Sequence, residues 1–481
     1  MRASANVRSG LVHLTAILAL AGCARNPATG ERELSLVSES QEIAMGQEGK
    51  QAVRGSMGLV DNAALQSYVS QLGLAMAKDT ERPGLPWSYA VVDDPVVNAF
   101  ALPGGPVYIT RGILAYFNSE AELMGVLGHE TAHITARHSA HQLSQQQLAQ
   151  IAVIGTAIVK PELAQFANLA SQGLGLLFLK YGRDDEREAD AIGFRYMVAE
   201  GYDPREMAET FRTLDRVSGT SSEGRPPEWL STHPDPGNRV EDALARVRAL
   251  NRDLSGTIVR RDEYLRHLDG LVYGVNPRDG YFDGATFYHP DLRFQLQFPS
   301  GWKVQNQTAA VVGLSAQQDA IVQLSLAPEG TPSQLLQQFI GQQGIQSGQA
   351  STASINGFTA ASAAFVANTE QGQIGGVMAF LADGGTTYQL LGYTSAQQRS
   401  EYDPMFRQWI NSYRRLTDSR ALGVQPAKLS LVKVPSSMSL GEFNRRYPST
   451  IPLSELAMIN GVAESATLTA GTTVKRVQGG R

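Results

Sequence analysis

The chain has 481 residues, of which 42% are hydrophobic and 18% charged, with a net charge of −5. That length and balance suit two or three domains with ordinary cores and exclude a disordered protein, while the acidic balance offers no footprint for nucleic acid. The only cysteine is Cys23, so neither a disulfide framework nor cysteine-based metal ligation is expected.

Arg2 and Arg8 precede an apolar run from Leu11 to Ala21 that closes on Leu20-Ala21-Gly22-Cys23. The run is too short to cross a bilayer and ends in small residues, which predicts a signal peptide over 1–22. The position of Cys23 resembles a bacterial lipobox. That resemblance implies cleavage before Cys23, lipid attachment to it and, with Ala24 rather than Asp behind it, sorting to the outer membrane. Residues 23–37 then read as a lipidated polar tether, and no later stretch has the length of a membrane-spanning helix.

Ser38 to about Met57 and Asp61 to Lys78 predict two helices, the second with Asp61 as its cap. Trp87, Tyr89 and Val91 lead through Asp93-Asp94-Pro95 into Asn98–Thr110. There, alternating and β-branched residues around Pro103-Gly104-Gly105-Pro106 predict a hairpin at a sheet edge. An edge of this kind either pairs its backbone with an extended peptide or merely caps a small sheet.

Ser119 followed by Glu122 is a capping-box pattern, and Leu123, Met124, Val126 and Leu127 carry helical spacing from Ser119 to about Ser139. His129-Glu130-Thr131-Ala132-His133 therefore lies on a helix. Residues four apart share a face, so both imidazoles can aim at one zinc ion with Glu130 beside it as a base. His138 is five residues from His133, the wrong spacing for that face, and His138 and His141 read as surface residues near the helix end. Residues 142–180 read as helices around a stretch that either covers the cleft or packs as a plain hairpin.

A third ligand is expected from Arg183-Asp184-Asp185-Glu186-Arg187-Glu188-Ala189-Asp190, the start of a second helix ending near Gly201. Glu186 and Asp190 share a face, so one carboxylate can reach the metal while the other holds a ligand histidine; Glu188 points elsewhere. Together, His129-Glu130-Thr131-Ala132-His133 and Glu186-Arg187-Glu188-Ala189-Asp190 resemble the HExxH and ExxAD motifs of the gluzincin metallopeptidases. That family includes the CAAX prenyl proteases, the HtpX proteases and the beta-barrel assembly-enhancing protease. The resemblance covers roughly residues 34–260. It implies one zinc held by His129, His133 and Glu186, Glu130 as general base, and Asp190 as support or proton shuttle.

Asp203-Pro204-Arg205-Glu206 predicts a capping box opening a helix to about Val217, and another helix runs from about Asn238 to Ala249. His233-Pro234 followed by Arg239 also resembles the peptidase family. His233 is a possible fourth ligand or gate and Arg239 a possible oxyanion stabiliser, neither of which follows from spacing. The zinc peptidase domain is placed at 38–262, with a linker over 263–283. Residues 284–420 predict an α+β domain that resembles a PsbP or Mog-like fold from Phe298-Pro299-Ser300-Gly301-Trp302 onward. Residues 427–481 resemble a LysM-like module, which implies peptidoglycan contact. The expected whole is an α+β multidomain protein. It would be a lipid-anchored zinc endopeptidase at the periplasmic face of the outer membrane, cleaving unfolded or misassembled envelope polypeptides. The competing expectation is a chaperone or scaffold lipoprotein whose metal is a structural prop.

Overall fold

The computed structural model describes residues 23–154, 181–219, 229, 232–233, 238–307, 309–369 and 372–480. The expected signal peptide and the stretch from 155 to 180 lie outside the described residues. The architecture is α+β and divides into two compact units. One comprises the described residues up to Gly274 together with Ala427–Gln478; the other is centred on Val275–Pro426.

The first unit opens with a hairpin, β1 (Cys23–Arg25) paired antiparallel to β2 (Arg32–Leu34), where a polar tether was expected. Its cause is one side chain. Asn26 is buried, accepts the backbone N–H of Ala28 on Oδ1 at 2.9 Å and donates from Nδ2 to Glu33 at 2.8 Å, an Asx turn that composition does not announce. Helices α1 (Glu39–Ser56) and α2 (Ala63–Lys78) follow. Ser38 and Gln41 form a reciprocal capping box, and Asn62 rather than Asp61 caps α2 by accepting from the Leu65 N–H.

Strands β3 (Ser88–Val92), β4 (Ala99–Ala101) and β5 (Pro106–Thr110) form a sheet of order β3-β5-β4, with β4 antiparallel to β5 as the hairpin pattern predicts. Gly104 turns the corner at φ +76°, and a Cβ there would lie 2.6 Å from the Ile43 backbone. β4 is the edge strand by order, yet Ala99 is fully buried and Phe100 and Ala101 nearly so. The edge is therefore covered, not open to solvent.

Behind the sheet run α3 (Glu120–Thr135), α4 (His138–Ile154), α5 (Arg183–Ala199), α6 (Arg205–Gly219), α7 (Arg239–Leu250) and α8 (Arg261–Leu268). Ser119 caps α3 by accepting the Glu122 N–H at 3.0 Å, while the Glu122 carboxylate reaches back one residue further than a capping box would, to the Asn118 N–H. Glu206 does not close a box on Asp203; it accepts from the Ser119 hydroxyl at 2.7 Å and so ties α6 to the start of α3. Part of the expected linker is core, since Tyr264, Leu265 and Leu268 of α8 are fully buried. No helix among the described residues is long and apolar enough to cross a membrane.

The second unit is built on an antiparallel eight-stranded sheet whose long strands are Phe358–Thr369, Gly372–Asp383 and Thr386–Ser395. Helix Arg399–Asn411 buries Phe406, Trp409 and Ile410 with Phe298, Val322 and Leu390. In the C-terminal stretch, helices Leu440–Arg446 and Leu453–Ile459 lie between the paired strands Ala427–Lys433 and Thr473–Gly479. This stretch does not stand as a separate module. Leu440, Phe443, Ile459 and Val477 share a core with Leu123 and Leu127 of α3, and the fully buried Lys475 donates to the carbonyls of Ala115 and Phe117 at 2.8 and 2.6 Å.

Helices α3 and α5 cross at Gly128 and Gly193. A Cβ on Gly193 would lie 2.8 Å from the His129 backbone nitrogen and 2.9 Å from the Gly128 carbonyl carbon, so only glycine permits this backbone contact. Gly193→Ala is expected to force the two helices apart and destabilise the metal-free protein by about 1–3 kcal/mol, the usual range for overpacking. Denaturant unfolding measures it, and a midpoint equal to that of the wild type would contradict the close approach.

Candidate metal centre

The glycine contact sets the inward face of α3 against that of α5. His129, Glu130 and His133 come from the first helix, Glu186 and Asp190 from the second, and all five are at most 2% exposed. His233 joins them from a short segment in which its backbone N–H bonds to the Trp229 carbonyl at 2.8 Å and its ring stacks on the Trp229 indole at 4.2 Å.

Four side chains converge. His129 Nε2 lies 3.0 Å from His133 Nε2, 3.3 Å from His233 Nδ1 and 3.4 Å from Glu186 Oε2. Glu186 Oε1 lies 3.5 Å from His133 Nε2 and 2.9 Å from His233 Nδ1. A tetrahedron with metal–ligand bonds of about 2.0–2.2 Å has edges of about 3.3–3.6 Å; three of these spacings fall there and two, 2.9 and 3.0 Å, are shorter, so the three imidazoles and the carboxylate are close enough to hold a single ion. The donor set of histidine nitrogen and carboxylate oxygen is one that zinc accepts. Orphaned buried oxygens point the same way: neither Glu130 oxygen nor Glu186 Oε2 has a hydrogen-bond partner among the described residues. Such atoms are costly unless a cation or a reacting group meets them.

The surrounding contacts hold this geometry. Asp190 Oδ1 lies 2.9 Å from His129 Nδ1, which fixes the ring with Nε2 turned to the cluster. Arg239, expected as an oxyanion stabiliser, is engaged on Asp190 through Nε at 2.9 Å and Nη2 at 2.5 Å, and its guanidinium stacks on Phe211 at 4.2 Å. Tyr181 stacks on the His133 ring at 3.8 Å. Glu130 Oε1 stands 3.5 Å from His233 Nε2, so the third histidine lies between the base candidate and the other ligand atoms.

The electrostatics favour a cation. Burial raises the Glu186 carboxyl, but the imidazoles of His233 and His129 outweigh it and hold it well below its usual range. Burial lowers His129, yet hydrogen bonds and charge from Asp190 and Glu186 overcome it and lift the ring to about 9. His133 moves the other way, driven well down by burial and then by its neighbour His129. Glu130 is pushed up by burial, only partly opposed by His233 and His129.

Every residue singled out in the two motifs, with His233 and Arg239, enters this cluster; Cys23 lies in β1. His138 is not the surface residue that spacing predicts: it is buried, with Nδ1 2.8 Å from His133 Nδ1. The spacing rule fails because α3 ends at Thr135 and Arg137, at φ +60°, swings the chain into α4. His141 is half-buried beside Gln145. Tyr181 and Trp229 carried no sequence signal, being aromatic residues outside any periodic run.

Residues 63–247 match the family model described as Peptidase family M48. The beta-barrel assembly-enhancing protease of Escherichia coli strain K12 is 31% identical over 233 residues, covering 46% of this chain and 47% of its own. The mitochondrial metalloendopeptidase OMA1 of Arabidopsis thaliana is 31% identical over 199 residues, 41% of this chain and 39% of its own. The chain thus spans about half the length of such relatives. Among solved structures, the PsbP of Synechocystis matches 28% of this chain and 94% of its own at 11% identity and a TM-score of 0.24. The HExxH and ExxAD helices that meet as described both lie within residues 63–247, the part of the chain that is similar to Peptidase family M48.

Proposed function

We propose that this protein is a zinc-dependent endopeptidase of the bacterial cell envelope, lipid-anchored through Cys23 at the periplasmic face of the outer membrane. On this reading it cleaves unfolded or misassembled envelope polypeptides. The observation that carries the reading is the convergence of His129, His133, Glu186 and His233, with a buried Glu130 beside them whose oxygens have no hydrogen bond among the described residues.

Zinc held there supplies Lewis acidity to a scissile carbonyl and to water. The protein does the rest. His129, His133 and Glu186 hold the ion, and Asp190, clamped by Arg239, keeps His129 presenting Nε2. Glu130 takes the proton of the attacking water on a carboxylate oxygen and returns it to the leaving amine, work that suits a carboxyl whose proton affinity burial has raised. His233 closes the fourth position and must withdraw before a peptide can approach, so it acts as the gate. The names of the E. coli relatives, which refer to barrel assembly, support substrates among envelope proteins.

One feature favours the alternative of a chaperone or scaffold with a structural metal: a buried site with four protein ligands is the closed type. Glu130 separates the two readings, since a prop needs no base. Glu130→Gln is expected to keep one zinc per chain and lose at least about 100-fold in casein cleavage, the scale of general-base catalysis. Cleavage equal to wild type contradicts the peptidase mechanism. His233→Ala is expected to raise cleavage several-fold, and unchanged or lost cleavage disposes of the gate.

A further inference from the structure

From His133 a line of hydrogen bonds runs outward to the first strands of the described chain. His138 Nδ1 lies 2.8 Å from His133 Nδ1, and His138 Nε2 lies 3.4 Å from Glu188 Oε2. Glu188 Oε1 in turn accepts from Asn26 Nδ2 at 2.9 Å. His138 and Asn26 are almost fully buried, and Asn26 is the residue that shapes the β1–β2 hairpin. None of these three residues touches the converging atoms, and the two motifs explain none of them.

The proton count along this line is fixed by its ends. If His133 Nε2 lends its lone pair to a metal, the neutral ring carries its proton on Nδ1 and donates it. His138 Nδ1 must then accept, which puts the His138 proton on Nε2, facing the Glu188 carboxylate. His129 receives the same support in one step, from Asp190. Helix α5 therefore serves both imidazoles: Asp190 from its inner face, and Glu188 from its flank through His138.

We propose that His138 is a positioning residue for His133, and that Glu188 and the hairpin directly after Cys23, through Asn26, belong to the support of the metal centre. The proposal rests on the metal reading given above. It assigns the stretch following Cys23 a second duty, for the chain that leaves an anchor there would also steady a ligand histidine.

The test is zinc affinity of the full-length protein, measured by competition with a chromophoric chelator. His138→Leu keeps the volume and removes the acceptor; it is expected to weaken zinc binding about 10- to 100-fold, the usual effect of removing a partner of a ligand histidine. His138→Asn sets an amide oxygen at the Nδ1 position and is expected to recover most of that loss, which a packing role would not produce. Glu188→Ala, at a side chain 26% exposed where folding tolerates change, is expected to weaken binding several-fold. Wild-type affinity in His138→Leu, or in Glu188→Ala if the former does not fold, overturns the proposal. Wild-type protein that binds no zinc overturns the metal reading itself.

Discussion

The contact between Gly128 and Gly193 is what the rest of this molecule depends on. Two helices can touch backbone to backbone only where neither carries a side chain, and there the residues immediately following Gly128 and flanking Gly193 are driven into each other. Those residues are polar. Their burial would be prohibitive as isolated charges, so they survive as an interlocked set: carboxylate against imidazole, guanidinium against carboxylate. A small steric fact in the backbone thereby creates a buried site of concentrated charge.

That site is asymmetric in a useful way. One carboxylate, Glu186, is held ionised by the imidazoles around it, while the adjacent Glu130 is driven by burial toward keeping a proton. Two like groups in one pocket are thus pushed in opposite directions, the arrangement the proposed split between a ligand and a proton carrier calls for. His233 joins this cluster from a separate segment. Among the described residues it is held by a backbone hydrogen bond to Trp229, stacking on the Trp229 indole and a 2.9 Å contact from Nδ1 to Glu186.

Much of this was legible in the amino-acid order because helical periodicity fixes which residues share a face. The pairs His129 with His133 and Glu186 with Asp190 follow directly from a four-residue step, and the start of α3 from Ser119. What stayed hidden lies where periodicity stops. His138 falls beyond a left-handed turn at Arg137, so its distance from His133 in sequence says nothing about its direction. Asn26 looked like tether because a hairpin stapled by one amide has no compositional signature. The strand Phe358–Thr369 has little signature in the sequence, because its alanine run neither alternates nor carries many β-branched residues. The C-terminal stretch was readable as helices between strands, but its burial against α3 was not, since one lysine reaching the carbonyls of Ala115 and Phe117 leaves no trace in local pattern.

The central claim is that side chains from two distant helices surround a single ion. X-ray absorption at the zinc edge of the purified full-length protein tests it most directly. The account predicts one zinc per chain in a four-coordinate shell of nitrogen and oxygen at about 2.0–2.2 Å, with the outer-shell scattering of at least two imidazoles. A protein that carries no zinc, or a shell of oxygen alone without imidazole scattering, would contradict it.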